Sequence, residues 1–76
     1  MSLDEAARQL RSTVHDAQVA FDCVGLGDLE RAHIHVITAR AAADAAEAAL
    51  QEALNRMSPE EAASAGEAAI VATEGS

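Results

Sequence analysis

The chain has 76 residues and a formal net charge of −8, with five arginines and no lysine. A chain of this length forms one domain at most and buries a small share of its surface, so its core must be thin. The acidic balance argues against binding to nucleic-acid phosphates or to anionic membranes, because both need clustered basic residues.

The composition favours helices, since 20 residues are alanine, which loses no side-chain entropy in a helix. Two internal breaks divide the chain. Gly25-Leu26-Gly27-Asp28 predicts a helix stop followed by an N-cap, and Ser58-Pro59-Glu60-Glu61 predicts a capping box with proline at the first helical position. The sequence therefore predicts three helices, at about residues 3–24, 29–57 and 59–71, in a single domain of residues 1–71 with a frayed tail of residues 72–76.

Apolar residues in the first two predicted helices recur at alternate steps of three and four, the heptad spacing of a coiled coil. A chain that reverses at residues 25–28 brings these two rows face to face as an antiparallel helical hairpin. Alanines of the second helix then receive larger side chains of the first, as dense packing requires. The predicted hairpin core consists of Leu3, Leu10, Val14, Ala17, Phe21, Val24, Leu29, Val36 and Leu50.

A second apolar row lies outside this core and predicts an association surface. Ile34 and Ile37 fall off the predicted heptad row of the second helix. A third helix of about 12 residues reaches only about 18 Å, which is too short to return to Ile34. We therefore expect two copies of the all-α hairpin to pair as a homodimeric four-helix bundle. The expected dimer interface consists of Val19, Ile34, Ile37, Ala41 and Ala45.

Two pairs of residues are candidates for ligand binding. Glu30 and His33 have the Glu-x-x-His spacing, which places two metal ligands on one helical face, and a dimer would supply a second copy of them. Arg11 and Arg40 lie close together in the predicted register and would suit an anionic small molecule. The competing interpretation is a set of solvated or acid-paired side chains on the charged sides of the helices, which is the commoner case.

No arrangement of nucleophile, base and orienting group is recognisable, and no cofactor motif is present, so we expect no enzymatic activity. The single cysteine, Cys23, excludes an intramolecular disulfide and a cysteine-rich metal site. Charged residues at positions 4, 5 and 8 precede any apolar run, so no signal peptide is expected, and the cytoplasm is the default location.

The sequence thus predicts a small interaction or regulatory protein that self-associates and binds a partner protein. The alternative prediction is a carrier of a metal ion or small ligand at the subunit interface.

Overall fold

The computed structural model describes residues 3–74, which form three α-helices. These are α1 (Asp4–Gly25), α2 (Leu29–Arg56) and α3 (Pro59–Glu74). Helices α1 and α2 pack along each other as an antiparallel hairpin, and α3 folds back onto α1 of its own chain. The predicted all-α hairpin with a short third helix is therefore confirmed. None of the helices in residues 3–74 has the length and apolar character that crossing a bilayer requires.

The turn between α1 and α2 forms where the sequence predicts it. Gly27 has a φ of 75°, a backbone region that glycine enters without steric cost. The amide of Asp28 donates to the carbonyl of Cys23 at 2.9 Å, which closes the end of α1. The side chain of Asp28 then accepts from the amide of Arg31 at 3.1 Å and caps α2.

The break between α2 and α3 is the predicted capping box. The Ser58 amide donates to Oε1 of Glu61 at 2.8 Å, and the Glu61 amide donates to Oγ of Ser58 at 3.2 Å. Met57 is extended, with φ −108° and ψ 140°, so the chain changes direction before Pro59. This bend directs α3 back toward the N-terminal half of α1.

Helix α3 ends at Glu74, three residues beyond the predicted end. No proline or glycine lies between residues 71 and 74 to stop it, and the Thr73 hydroxyl donates to the Ala69 carbonyl at 2.8 Å within the last turn. Residues 72–74 of the predicted tail are therefore helical, and residues 75 and 76 lie outside the described part of the chain.

The core is made of small side chains. In residues 3–74 every buried residue is alanine except Cys23. The buried residues of α1 and α2 are Ala6, Ala7, Ala20, Cys23, Ala32, Ala46 and Ala53. Ala69 is the buried residue of α3. Buried and half-buried residues together mark the face of each helix that contacts the other. On α1 they lie at positions 6, 9, 13, 16, 20 and 23. On α2 they lie at positions 32, 35, 39, 42, 46, 49 and 53. We call this contact the alanine seam.

The predicted hairpin core is wrong by one helix position. The seam lies one residue earlier along α1 than predicted, which corresponds to a turn of about 100° for that helix. On α2 the alanines at positions 32, 39, 46 and 53 lie in the seam, while residues 35, 42 and 49 take the places expected for residues 36, 43 and 50. The residues of the predicted core that the structure leaves exposed are Leu10, Val14, Ala17, Phe21, Val24, Leu29, Val36 and Leu50. Leu3 is half-buried and precedes the first turn of α1. The physical reason is size: only small residues let two helix backbones lie close together, so the large side chains are displaced to one side.

Ala46 tests the close packing of the seam, because it is only 2% exposed. We expect Ala46→Leu to destabilise the protein by about 1–3 kcal/mol, since extra methyl groups must force the helices apart. The matched control is Ala48→Leu, at an exposed position of the same helix, which should change stability by less than about 0.5 kcal/mol. Urea unfolding followed by circular dichroism measures both; equal effects would contradict the seam.

Glu61 gives the capping box a pH dependence. Hydrogen bonds from the Ser58 amide and hydroxyl lower the pKa of Glu61 below its ordinary value of 4.5. A lowered pKa in the folded state means that this stabilisation is present above pH 4.5 and is lost as the pH falls through the folded-state pKa. On acidification we expect the helix content of Glu61→Gln to fall less than that of the wild type, because glutamine has no carboxylate to protonate. Circular dichroism measures the helix content. Identical acid titrations of the two proteins would contradict this role.

Candidate functional site

The large apolar side chains of the hairpin lie together on one of its sides. Phe21, for example, is 75% exposed although it is the most bulky apolar residue of the chain. On both helices the large residues come one position after the seam residues along the chain. Since the two helices are antiparallel, these positions point to the same side of the pair. We call this side the apolar face; its large residues are Leu10, Phe21, Val24, Leu29, Val36, Leu50 and Leu54.

A groove runs along the apolar face between α1 and α2. Its floor is alanine, including Ala20 and Ala39, and its walls include Phe21 and Val36. Arg40 is the charged residue that lines it. The groove has a volume of about 440 Å³, within the range of ligand sites. It is open along its length, however, and offers few polar groups to orient a ligand. Such a groove suits the apolar side chains of another helix.

A second stretch of the face lies nearer the C-terminal end of α2. Leu10 of α1 and Leu50 and Leu54 of α2 surround a hollow whose floor includes Ala43. Glu47 is its charged lining residue. Ala43 lines both this hollow and the groove, so the two form one continuous apolar surface with one positive and one negative side chain.

The alanine seam contains one polar pair that joins the two helices. Nδ1 of His35 lies 3.0 Å from Oδ1 of Asp16. The side chain of Asp16 is 13% exposed and that of His35 is 30% exposed. By contrast, Arg8 pairs with Glu5, Arg31 with Asp28, and Arg56 with Glu52, and each of these pairs joins residues three or four apart in the chain. The His35–Asp16 pair therefore joins α1 to α2 directly and favours the observed alignment of the two helices.

The predicted dimer interface lies away from the apolar face, on other sides of the same helices. Ile34 and Ile37 are 54% and 53% exposed. Ala41 is also exposed, while Val19 and Ala45 are half-buried. Helix α3 does not cover these isoleucines, because it packs on α1. We call the residues Ile34, Ile37, Ala41 and Ala45 the outer stripe. Its pairing with a second copy stays a prediction.

The candidate metal ligands lie on the surface at the start of α2. Glu30 and His33 are both exposed. Within residues 3–74, no group of three or more His, Cys, Asp or Glu side chains is arranged to hold a metal ion. His35, the neighbouring histidine, faces Asp16 in the seam. A metal site at Glu30 and His33 would therefore need further ligands from a second copy.

The candidate anion site is divided between two clefts. Arg11 lines a cleft between α1 and α3 with Ile70 and Glu74, while Arg40 lines the groove between α1 and α2. The two arginines lie at a similar height along the hairpin, but they project on different sides of it. The structure therefore does not bring the two guanidinium groups into a common cleft.

The sequence prediction missed both the apolar face and the His35–Asp16 pair, for a shared reason. The predicted heptad row lies one position too far along α1, so that it includes Phe21 and omits Asp16. The row of residues 16, 20 and 23 and the row of residues 32, 35 and 39 carry the correct spacing. A polar pair at matching heights in two alanine rows is the signal that would have indicated the observed alignment.

Comparison of the chain with protein-family models, with curated proteins and with solved structures finds no match.

The His35–Asp16 pair can be tested by a double-mutant cycle at neutral pH. We expect Asp16→Ala and His35→Ala each to cost about 1–3 kcal/mol of unfolding free energy, because each leaves a partly buried polar group without its partner. The double variant should lose less than the sum, since two alanines extend the seam. His33→Ala is the matched control, at an exposed position two residues away, and should be nearly neutral. Additive losses would contradict a direct interaction.

Proposed function

We propose that this protein is a small non-catalytic interaction protein that works by self-association and by binding a partner protein through its apolar face. The observation that carries the proposal is the separation of residue sizes. The seam uses the small side chains, while the large ones that could form a core lie exposed on one side. A contiguous apolar surface of this kind marks an association site in most proteins that carry one.

The thin core supports the same proposal. Burying an alanine stabilises a fold far less than burying a leucine or phenylalanine, for which the gain is about 1.5–3 kcal/mol. In a single copy the large apolar side chains add little to the stability of the fold, since residues such as Phe21 and Leu54 remain in contact with water. A second copy that covers the face adds this burial and stabilises the fold by mass action.

The charge distribution favours contact through this side of the molecule. Arg40 and Glu47 offset each other on the apolar face, although the whole chain has a net charge of −8. The acidic excess therefore lies elsewhere, where it keeps the protein soluble and excludes indiscriminate partners. The cytoplasm remains the proposed location.

Two glutamate substitutions on α2 test which surface associates. Val36 on the apolar face is 46% exposed and Ile34 on the outer stripe is 54% exposed, so both are β-branched, similarly exposed and two residues apart. We expect the wild type to sediment as a dimer, Val36→Glu to weaken the dimer by at least about tenfold in Kd, and Ile34→Glu to leave it unchanged. Analytical ultracentrifugation over a concentration series measures this.

Circular dichroism of the same samples is the control for folding, since exposed positions should tolerate glutamate. A wild type that stays monomeric at all accessible concentrations would overturn the self-association proposal. Loss of the dimer in Ile34→Glu but not in Val36→Glu would move the interface to the outer stripe, as the sequence alone predicts.

A further inference from the structure

Helix α2 has a spacing that is nearly symmetric about Ala43, and from it we infer how a second copy of this chain docks. We propose that the two copies pack antiparallel along their α2 helices, with a two-fold axis passing at Ala43, and that Arg40 of each copy pairs with Glu47 of the other. The inference rests on the proposed self-association through the apolar face and specifies the geometry and the residues that determine it.

The apolar residues along the face fit such an axis. They recur every seven positions at Leu29, Val36, Ala43, Leu50 and Met57. A two-fold axis at Ala43 exchanges residue 36 with residue 50 and residue 29 with residue 57. Each larger side chain thus meets an apolar side chain of the second copy. The exposed alanine at the centre allows the two backbones to approach, as an isologous interface of this kind requires.

The charged residues of the face provide the complementarity. Arg40 precedes Ala43 by three residues and Glu47 follows it by four, so the axis brings Arg40 of one copy beside Glu47 of the other, twice. Within one chain the two are about 10 Å apart along the helix and do not pair. Neither Arg40 nor Glu47 belongs to an ion pair within residues 3–74. A second copy would therefore supply the partner that each side chain lacks.

The opposite orientation is disfavoured by the same charges. If the two α2 helices ran parallel and in register, Arg40 would face Arg40 and Glu47 would face Glu47 across the interface. Like charges directly opposed across a partly desolvated interface repel each other. A strongly basic partner is also a poorer occupant than a second copy, because the face itself carries one cation and one anion.

The groove of the apolar face is also occupied in this arrangement. The axis places Leu54 of the second copy at the height of Ala32, beside the groove whose walls include Phe21 and Val24. Leu54 is 81% exposed in the single chain. Its insertion between these side chains buries both the leucine and the groove, and symmetry repeats the contact at the other end of the dimer.

Charge reversal is the first arm of the test. We expect Arg40→Glu and Glu47→Arg each to raise the dimer Kd by about tenfold or more, because each creates two repulsive pairs. The double variant restores the opposite charges and should return the Kd to within about threefold of the wild type. Glu52→Arg is the matched control: it changes the net charge as Glu47→Arg does and removes only the exposed Glu52–Arg56 pair within one chain. Because Glu52 lies on the outer side of α2, this change should have little effect on the dimer Kd. Sedimentation measures all four.

Cross-linking is the second arm and locates the axis. In a Cys23→Ala background, which removes the native thiol, we compare Ala43→Cys with Ala41→Cys, two exposed alanines on different sides of α2. A short bis-maleimide should link two copies at residue 43 in high yield and at residue 41 hardly at all, because a residue on a two-fold axis lies against its own mate.

The outcomes separate the two proposals. A monomeric wild type overturns both. A dimer that Val36→Glu weakens, but that neither cross-links at residue 43 nor recovers in the double charge variant, overturns the antiparallel geometry and leaves the proposed function standing. Cross-linking at residue 43 without recovery of the double variant overturns the role of Arg40 and Glu47. Preferential cross-linking at residue 41 overturns the apolar face as the interface.

Discussion

The contact between α1 and α2 through small side chains is the constraint on which the rest of the structure depends. Two helices whose facing residues are alanines must lie close together for their atoms to be in contact. A leucine or phenylalanine cannot enter such a seam without forcing the backbones apart, so Leu10, Phe21 and Val36 lie to one side. The packing that forms the hairpin is therefore also what creates its exposed apolar face.

An alanine seam specifies its own alignment poorly, which explains the value of a polar pair within it. A small rotation of one helix against the other would again oppose small residues, because several rows of alanine run side by side on α2. The His35–Asp16 contact breaks this equivalence, because such a rotation would leave both groups partly buried without a partner. Single polar residues have the same effect on register in coiled coils. The pair costs some stability relative to an apolar seam and contributes a defined alignment.

The turns could be read from the sequence, whereas the orientation of the helices about their axes could not. Gly27, Asp28 and the Ser58–Glu61 box act through local hydrogen bonds, and their chemistry does not depend on distant residues. Which face of each helix forms the seam depends instead on how well each of its adjacent faces packs against the other helix. In α2, several rows of alanine run side by side, so the spacing fits more than one phase. Hydrophobicity alone favours the phase that buries the large residues, but within the single chain close packing of the backbones outweighs their burial.

The exposed apolar residues of the hairpin would be buried in an assembly of two copies. The heptad row that contains Leu10, Val14 and Phe21 has the periodicity of a bundle core, and exposure in one chain does not remove that periodicity. If two hairpins cover each other's apolar faces, the small residues form the contact within each chain and the large residues form the contact between chains. Predicted core residues such as Phe21 and Val36 would then lie at the contact between the two copies, whereas Leu3 and Val14 border α3 of their own chain. In such a dimer each hairpin would supply half of the core, because its largest apolar side chains face away from their own chain.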